Sequence, residues 1–103
     1  FAHQLAESIE NNENTLGIQF CGTGNGIYMS ANKHQGIRAA LCWNTHIAEQ
    51  ARLHNNANIL TMPARHLDWE KVKKIVDTFL STDFEGGRHE KRVKKIKIKC
   101  IEK

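Results

Sequence analysis

No stretch of this chain approaches the roughly 18 consecutive apolar residues that a membrane-spanning helix needs, so a membrane span is excluded at the outset. The opening Phe1-Ala2-His3-Gln4 has neither the basic start nor the apolar centre of a secretory signal. Cysteines are few and odd in number. Cys21, Cys42 and Cys100 lie far apart with no C-x-x-C pair, which argues against a disulfide framework and against a zinc site. Such usage fits a reducing, cytoplasmic setting best. Proline occurs once, at Pro63, and neither an internal repeat nor a low-complexity tract occurs apart from a lysine-rich end. An initiator methionine is lacking too, which gives the expectation of a fragment or a processed product.

What is present bounds the chain to one domain over residues 1–103, with enough apolar residues for a core that would gain from oligomerisation. Charge is unevenly spread. Residues 88–103 hold eight Lys and Arg against Glu90 and Glu102, a net of +6, which leaves −2 for the remainder of the +4 chain. A short basic helix and tail on a mildly acidic body is less like a nucleic-acid-binding domain than the pI of 9.1 suggests. No nucleic-acid partner and no membrane partner is therefore expected.

Periodicity alternates along the chain. Leu5, Ala6 and Ile9 recur at helical spacing over residues 2–9, and residues 17–21 form a short apolar strand. Residues 26–33 read as a helix with Ile27 and Ala31 on one face, and residues 37–42 as a second strand. Asn44 and Thr45 can cap a helix over 45–53, and a third strand over 58–62 ends at Pro63. Asp68 caps a helix over 69–80 with Val72, Ile75, Val76 and Phe79 as its stripe, and Gly86-Gly87 precedes a last helix from Arg88. Residues 96–99 alternate instead. Short, nearly unbroken apolar strands between helices predict an α/β fold, a parallel sheet covered on both faces. Three strands are few for such a sheet, and the first helix lacks a strand before it. An N-terminal βα portion is thus expected to be missing, on the order of 30 residues.

The stretch Cys21-Gly22-Thr23-Gly24-Asn25-Gly26 falls where a strand hands over to a helix, at the carboxyl edge of the sheet where such folds bind ligands. Glycines there admit a close ligand, helix-start N–H groups can hold an anion, and the local field favours a thiolate. A Walker loop would end in Gly-Lys-Ser/Thr, and a dinucleotide loop would read G-x-G-x-x-G with a later acid. This loop ends Gly26-Ile27-Tyr28, is spaced G-x-G-x-G, and is followed after the next strand by Asn44, so both nucleotide readings fail.

Four segments taken together decide more: Cys21 to Gly26; Ala31-Asn32-Lys33 with Gly36-Ile37-Arg38-Ala39-Ala40; His54-Asn55-Asn56-Ala57-Asn58; and Phe84 to Arg92. In this order and spacing, from about Phe1 to Ile96, they resemble type B ribose-5-phosphate isomerase, in the sugar-phosphate isomerase family that includes the galactose-6-phosphate isomerase subunits. The resemblance implies a Rossmann-like three-layer αβα sandwich. It also implies a homodimer or homotetramer with a shared active site, a sugar-phosphate substrate, and no metal or organic cofactor. Family members begin with a strand and a Ser/Gly-Asp-His-Ala-Gly loop, and this chain starts after it.

The activity implied is interconversion of D-ribose 5-phosphate and D-ribulose 5-phosphate through a cis-enediolate. Alternatives are a galactose-6-phosphate or allose-6-phosphate isomerase, and an inactive phosphate-binding fragment. By resemblance Cys21 is the base for the carbon-bound proton, Thr23 assists at the hydroxyl oxygens, and His54 opens the sugar ring. The N–H groups of Gly22, Gly24, Asn25 and Gly26 would hold the enediolate oxygen, and Asn55 the sugar hydroxyls. Arg88 and Arg92, four apart, would close on the phosphate, with Arg65 as a third candidate; His54 and Arg65 would serve the partner's Cys21. Cys42 and Cys100 are expected to be structural, Trp43 and Trp69 to pack, and His3, His34, His46 and His66 to lie on the surface. Tyr28 could line the pocket.

Overall fold

The computed structural model describes residues 1–12 and 14–96. In chain order these form α1 (Ala2–Glu10), β1 (Gly17–Cys21), α2 (Asn25–Ala31), β2 (Ala39–Leu41), α3 (Thr45–Asn55) and β3 (Ile59–Pro63). A short 3-10 turn (Ala64–His66), α4 (Trp69–Ser81) and α5 (Arg88–Lys94) follow. The basic residues beyond Ile96, with the alternation expected there, lie outside the described residues.

The three strands form one parallel sheet in the order β1-β3-β2, with Gly17 opposite Ile59, Cys21 opposite Pro63 and Ala39 opposite Ile59. Alternation along the central strand sorts its side chains between two apolar layers. Leu60 and Met62 join Cys42, Ala48, Ala51, Val72, Ile75 and Phe79 beneath α3 and α4. Ile59 instead joins Ala6, Ile9, Ala31 and Ile37 beneath α1 and α2. This is the predicted three-layer α/β sandwich. Thr61 shares the second face, and its buried hydroxyl is satisfied by Gln19, whose Nε2 donates to it at 2.8 Å.

Caps end the helices where the sequence suggests. Asn44 Oδ1 accepts from the Ile47 N–H and Asp68 Oδ1 from the Lys71 N–H, both at 2.8 Å. Boundaries move at three points. β2 is cut to Ala39–Leu41, and Pro63 closes β3 as its last residue rather than standing beyond it. α3 runs two residues past the predicted 53, so its last turn carries both His54 and Asn55. Trp43 and Trp69, expected to pack, are both exposed.

Phe79 is fully buried beside the exposed Leu80, so the stripe of α4 makes a direct prediction. Phe79→Ala should cost about 3–5 kcal/mol through cavity formation, and Leu80→Ala within about 0.5 kcal/mol. Urea unfolding of the two variants measures the contrast; equal midpoints would contradict this core.

Candidate active site

Cys21 is the last residue of β1, half-buried at the carboxyl edge of the sheet. The chain then turns through Gly22 and Thr23 to Gly24, whose φ of 83° a side chain rarely adopts and whose missing Cβ leaves room for Leu41 and Thr61. Gly22 is needed for closeness instead. A Cβ there would stand 2.8 Å from Arg65 Nε, and the Arg65 N–H donates to Gly22 O at 3.0 Å. Arg65, expected to serve a partner's Cys21, thus covers the loop of its own chain. Among the described residues, none of the N–H groups of Gly22, Gly24, Asn25 and Gly26 donates to a protein acceptor in the loop. Four donors with no protein acceptor therefore stand together next to a thiol.

A cavity of about 460 Å³ opens beside this loop, lined by Thr23, Asn25, Trp43, Pro63, His66 and Lys71. Four of these, Trp43, Pro63, His66 and Lys71, were not singled out as site residues in the sequence. Trp43 stands two residues past the end of β2, and it lines the cavity together with Thr23. His66 arrives from the 3-10 turn after β3, and Lys71 from the first turn of α4. Tyr28 lies elsewhere, against the α1 and α2 layer.

The remaining candidates gather at the opposite pole. α3 descends from the carboxyl edge, so His54 and Asn55 finish near the start of β3, a strand length of roughly 13 Å from the level of Cys21. Arg52, buried, fixes this end: its Nη1 donates to Ala57 O at 2.6 Å and to Asn56 Oδ1 at 3.1 Å, and its Nε to Thr82 O at 3.0 Å. Asn56 takes the left-handed conformation (φ 48°) that turns the chain into β3. The Glu85 N–H donates to Leu53 O at 3.1 Å, and the positive φ angles at Gly86 and Gly87 then start α5 against α3. Arg88 and Arg92 are exposed on α5, and neither has an ion-pair partner among the described residues. The sequence reading gave no role to Arg52, Glu85 and His89, which build this end.

Here the His54 ring stacks on His89 with centroids 4.2 Å apart and planes 16° from parallel, and His54 Nε2 lies 3.9 Å from Glu85 Oε2. Burial, then the neighbouring His54 ring and Arg88, hold His89 below the usual histidine value of 6.5, with Glu85 pulling upward and Arg92 downward. His34 is also more engaged than a surface residue. Its Nδ1 pairs with Glu10 at 2.9 Å and its Nε2 with His3 at 2.7 Å.

Two predictions follow from these environments. The unfolded chain protonates His89 at a higher pH than the folded chain, so below about 6.5 stability is lost as pH falls. His89→Gln should flatten that part of the loss, seen in unfolding midpoints between pH 7.5 and pH 5.5; an unchanged slope would contradict the burial. Cys42, fully buried, has its thiol pushed up to about 12. In a Cys100→Ser background, a thiol reagent should therefore modify Cys21 and spare Cys42 until the chain unfolds.

Known proteins resemble the chain over most of its length. The family model described as Ribose/Galactose Isomerase matches residues 1–96. A curated relative, the probable ribose-5-phosphate isomerase B of Mycoplasma pneumoniae, is 50% identical over 96 residues, covering 93% of this chain and 63% of its own. The crystal structure of ribose 5-phosphate isomerase from Thermotoga maritima superposes with a TM-score of 0.91 at 52% identity, covering 94% of this chain and 67% of that one. The Mycoplasma genitalium ribose-5-phosphate isomerase B, solved with bound ribulose-5-phosphate, gives 0.89 at 45% identity, covering 93% and 64%. The chain thus spans less than two thirds of the length of the curated relative. With its loop, its strand order and this likeness over 96 residues, the chain belongs to the Ribose/Galactose Isomerase family.

Proposed function

We propose that this chain acts as an aldose–ketose isomerase that interconverts D-ribose 5-phosphate and D-ribulose 5-phosphate. The observation that carries the reading is the Cys21–Gly26 loop, a thiol at a strand end beside four N–H groups with no protein acceptor. Cys21, as thiolate, takes the proton from C2 of the open-chain aldose, and the electron pair forms the enediolate. The N–H groups of Gly22, Gly24, Asn25 and Gly26 hold its oxygen, which gains charge as the C–H bond breaks. Thr23 passes a proton between the two hydroxyl oxygens, and the thiol returns its proton to C1. His54 opens the ring beforehand by taking the anomeric hydroxyl proton and returning it to the ring oxygen. Asn55 binds sugar hydroxyls, and Arg88 and Arg92 hold the phosphate, with Arg65 beside the loop.

One chain carries Cys21 and His54 at opposite poles of its sheet, so this chemistry needs two copies. A homodimer, or a homotetramer built from it, would set the His54 pole of one copy against the Cys21 pole of the next in each of two equivalent sites. The 103 residues act in this reading as one sugar-phosphate isomerase domain in the cytoplasm, with residues 88–103 as its basic end. No described helix is long and apolar enough to cross a membrane. That the chain spans less than two thirds of the curated relative's length favours a second reading, an inactive phosphate-binding fragment. A galactose-6-phosphate or allose-6-phosphate substrate would need a deeper pocket.

Mixing the chain with ribose 5-phosphate and following ribulose 5-phosphate separates these readings. Turnover supports the isomerase. Turnover only after a strand and an Asp-His loop are joined ahead of Phe1 supports the fragment. In whichever form is active, Cys21→Ala and His54→Ala should each abolish turnover. Mixing the two variants should restore it at about a quarter of the sites, as random pairing in a two-fold dimer dictates. An active Cys21→Ala would overturn the base assignment, and no recovery on mixing would overturn the shared site.

A further inference from the structure

The geometry points to a binding site for a divalent transition metal ion, zinc or cobalt, formed by His54, Glu85 and His89 at the end of α3 and the start of α5. The three side chains each offer one donor atom, and these atoms all lie within 4.8 Å of one another. Around a tetrahedral zinc ion with bonds of about 2.0–2.2 Å, donors stand about 3.4 Å apart. The pair His54 Nε2 and Glu85 Oε2, at 3.9 Å, is already close to that spacing. The remaining contraction falls on Glu85, which is exposed and free to rotate, and on the near-parallel stack of the two rings, which must tilt open.

Chemistry selects the ion. Two imidazoles and one carboxylate form a set that suits zinc and its first-row neighbours and suits calcium or magnesium poorly. Among the described residues neither ring makes a hydrogen bond, so no bond must be broken to free a lone pair. Backbone anchors pre-set the site: the Glu85 N–H on Leu53 O, and the His89 N–H on Gly86 O at 3.2 Å. Arg88 and Arg92 flank it and oppose a dication, so its affinity falls short of that of a structural zinc site. Three protein donors leave a fourth position open to solvent. An ion there also takes the lone pair that His54 would use in ring opening. That consequence, inhibition, rests on the isomerase reading; the site itself does not.

Cobalt(II) titrated into the untagged 103-residue chain at pH 7.5 tests it by a readout independent of turnover. We expect one saturable site with the visible absorption of a tetrahedral ion, displaced by zinc. The Cε1–H signals of His54 and His89 should broaden while those of His3 and His34 persist. Glu85→Gln, at an exposed position that leaves the fold intact, should weaken binding at least about tenfold, as even loss of an outer partner does. His89→Gln should do the same, and His34→Gln should change nothing. Absence of saturation at millimolar cobalt would overturn the site. So would equal binding by Glu85→Gln, broadening centred on His3 and His34, or a near-ultraviolet thiolate band that puts the ion on a cysteine.

Discussion

Everything else in the structure depends on the placement of β3. All five residues from Ile59 to Pro63 are buried, and the strand is paired on both edges by parallel neighbours. A strand in that position must present apolar side chains to both faces, and its neighbours must run in its direction because helices on the faces make the connections. Parallel order then fixes polarity for the whole molecule. Every strand delivers its last residue to one pole, and α1 to α4 return the chain to the other, where α5 begins.

This polarity sets the residues singled out in the sequence at two opposite poles of one chain. Cys21 and its glycines stand where β1 arrives, together with Arg65 and Trp43 from the two neighbouring strand ends. His54 stands where α3 returns, bound through Leu53 to the loop that carries Glu85 and thence to Arg88 and His89. The two poles are also built from different electrostatic materials. The first uses backbone N–H dipoles in a tight turn, suited to charge that develops on one oxygen. The second uses whole charges and imidazoles on helices, suited to a permanent anion or to a proton acceptor.

Much of this was legible in the residues. Hydrophobic period, Asn44, Asp68 and the double glycine set the order of elements, since each acts through bonds to its own neighbours in the chain. Cys21 to Gly26 could be read as a strand-end loop for the same reason. The grouping around His54 could not be read. Glu85 and His89 lie some 30 residues from it, and only the α3–α5 contact brings them near. Trp43 shows the same limit, because nothing in its immediate sequence marks it as exposed. The packing of Arg65 over Gly22 of its own chain was not legible either, since it depends on the β1–β3 register.

Arg52 shows how tightly the second pole is determined. A buried guanidinium is costly unless its donors find acceptors, and here Nε meets Thr82 O and Nη1 meets Ala57 O and Asn56 Oδ1, while the group lies 5.7 Å from the centre of the Phe79 ring. Burial lowers its pKa and the charge of Asp83 offsets part of that. Each acceptor belongs to a different element: the turn after α3, the start of the run into β3, and the end of α4. An apolar residue of similar size could fill the space but would leave those carbonyls without a donor. The same side chain therefore fixes where α3 stops and where the loop to Glu85 begins, and with them the distance between His54 and everything that surrounds it.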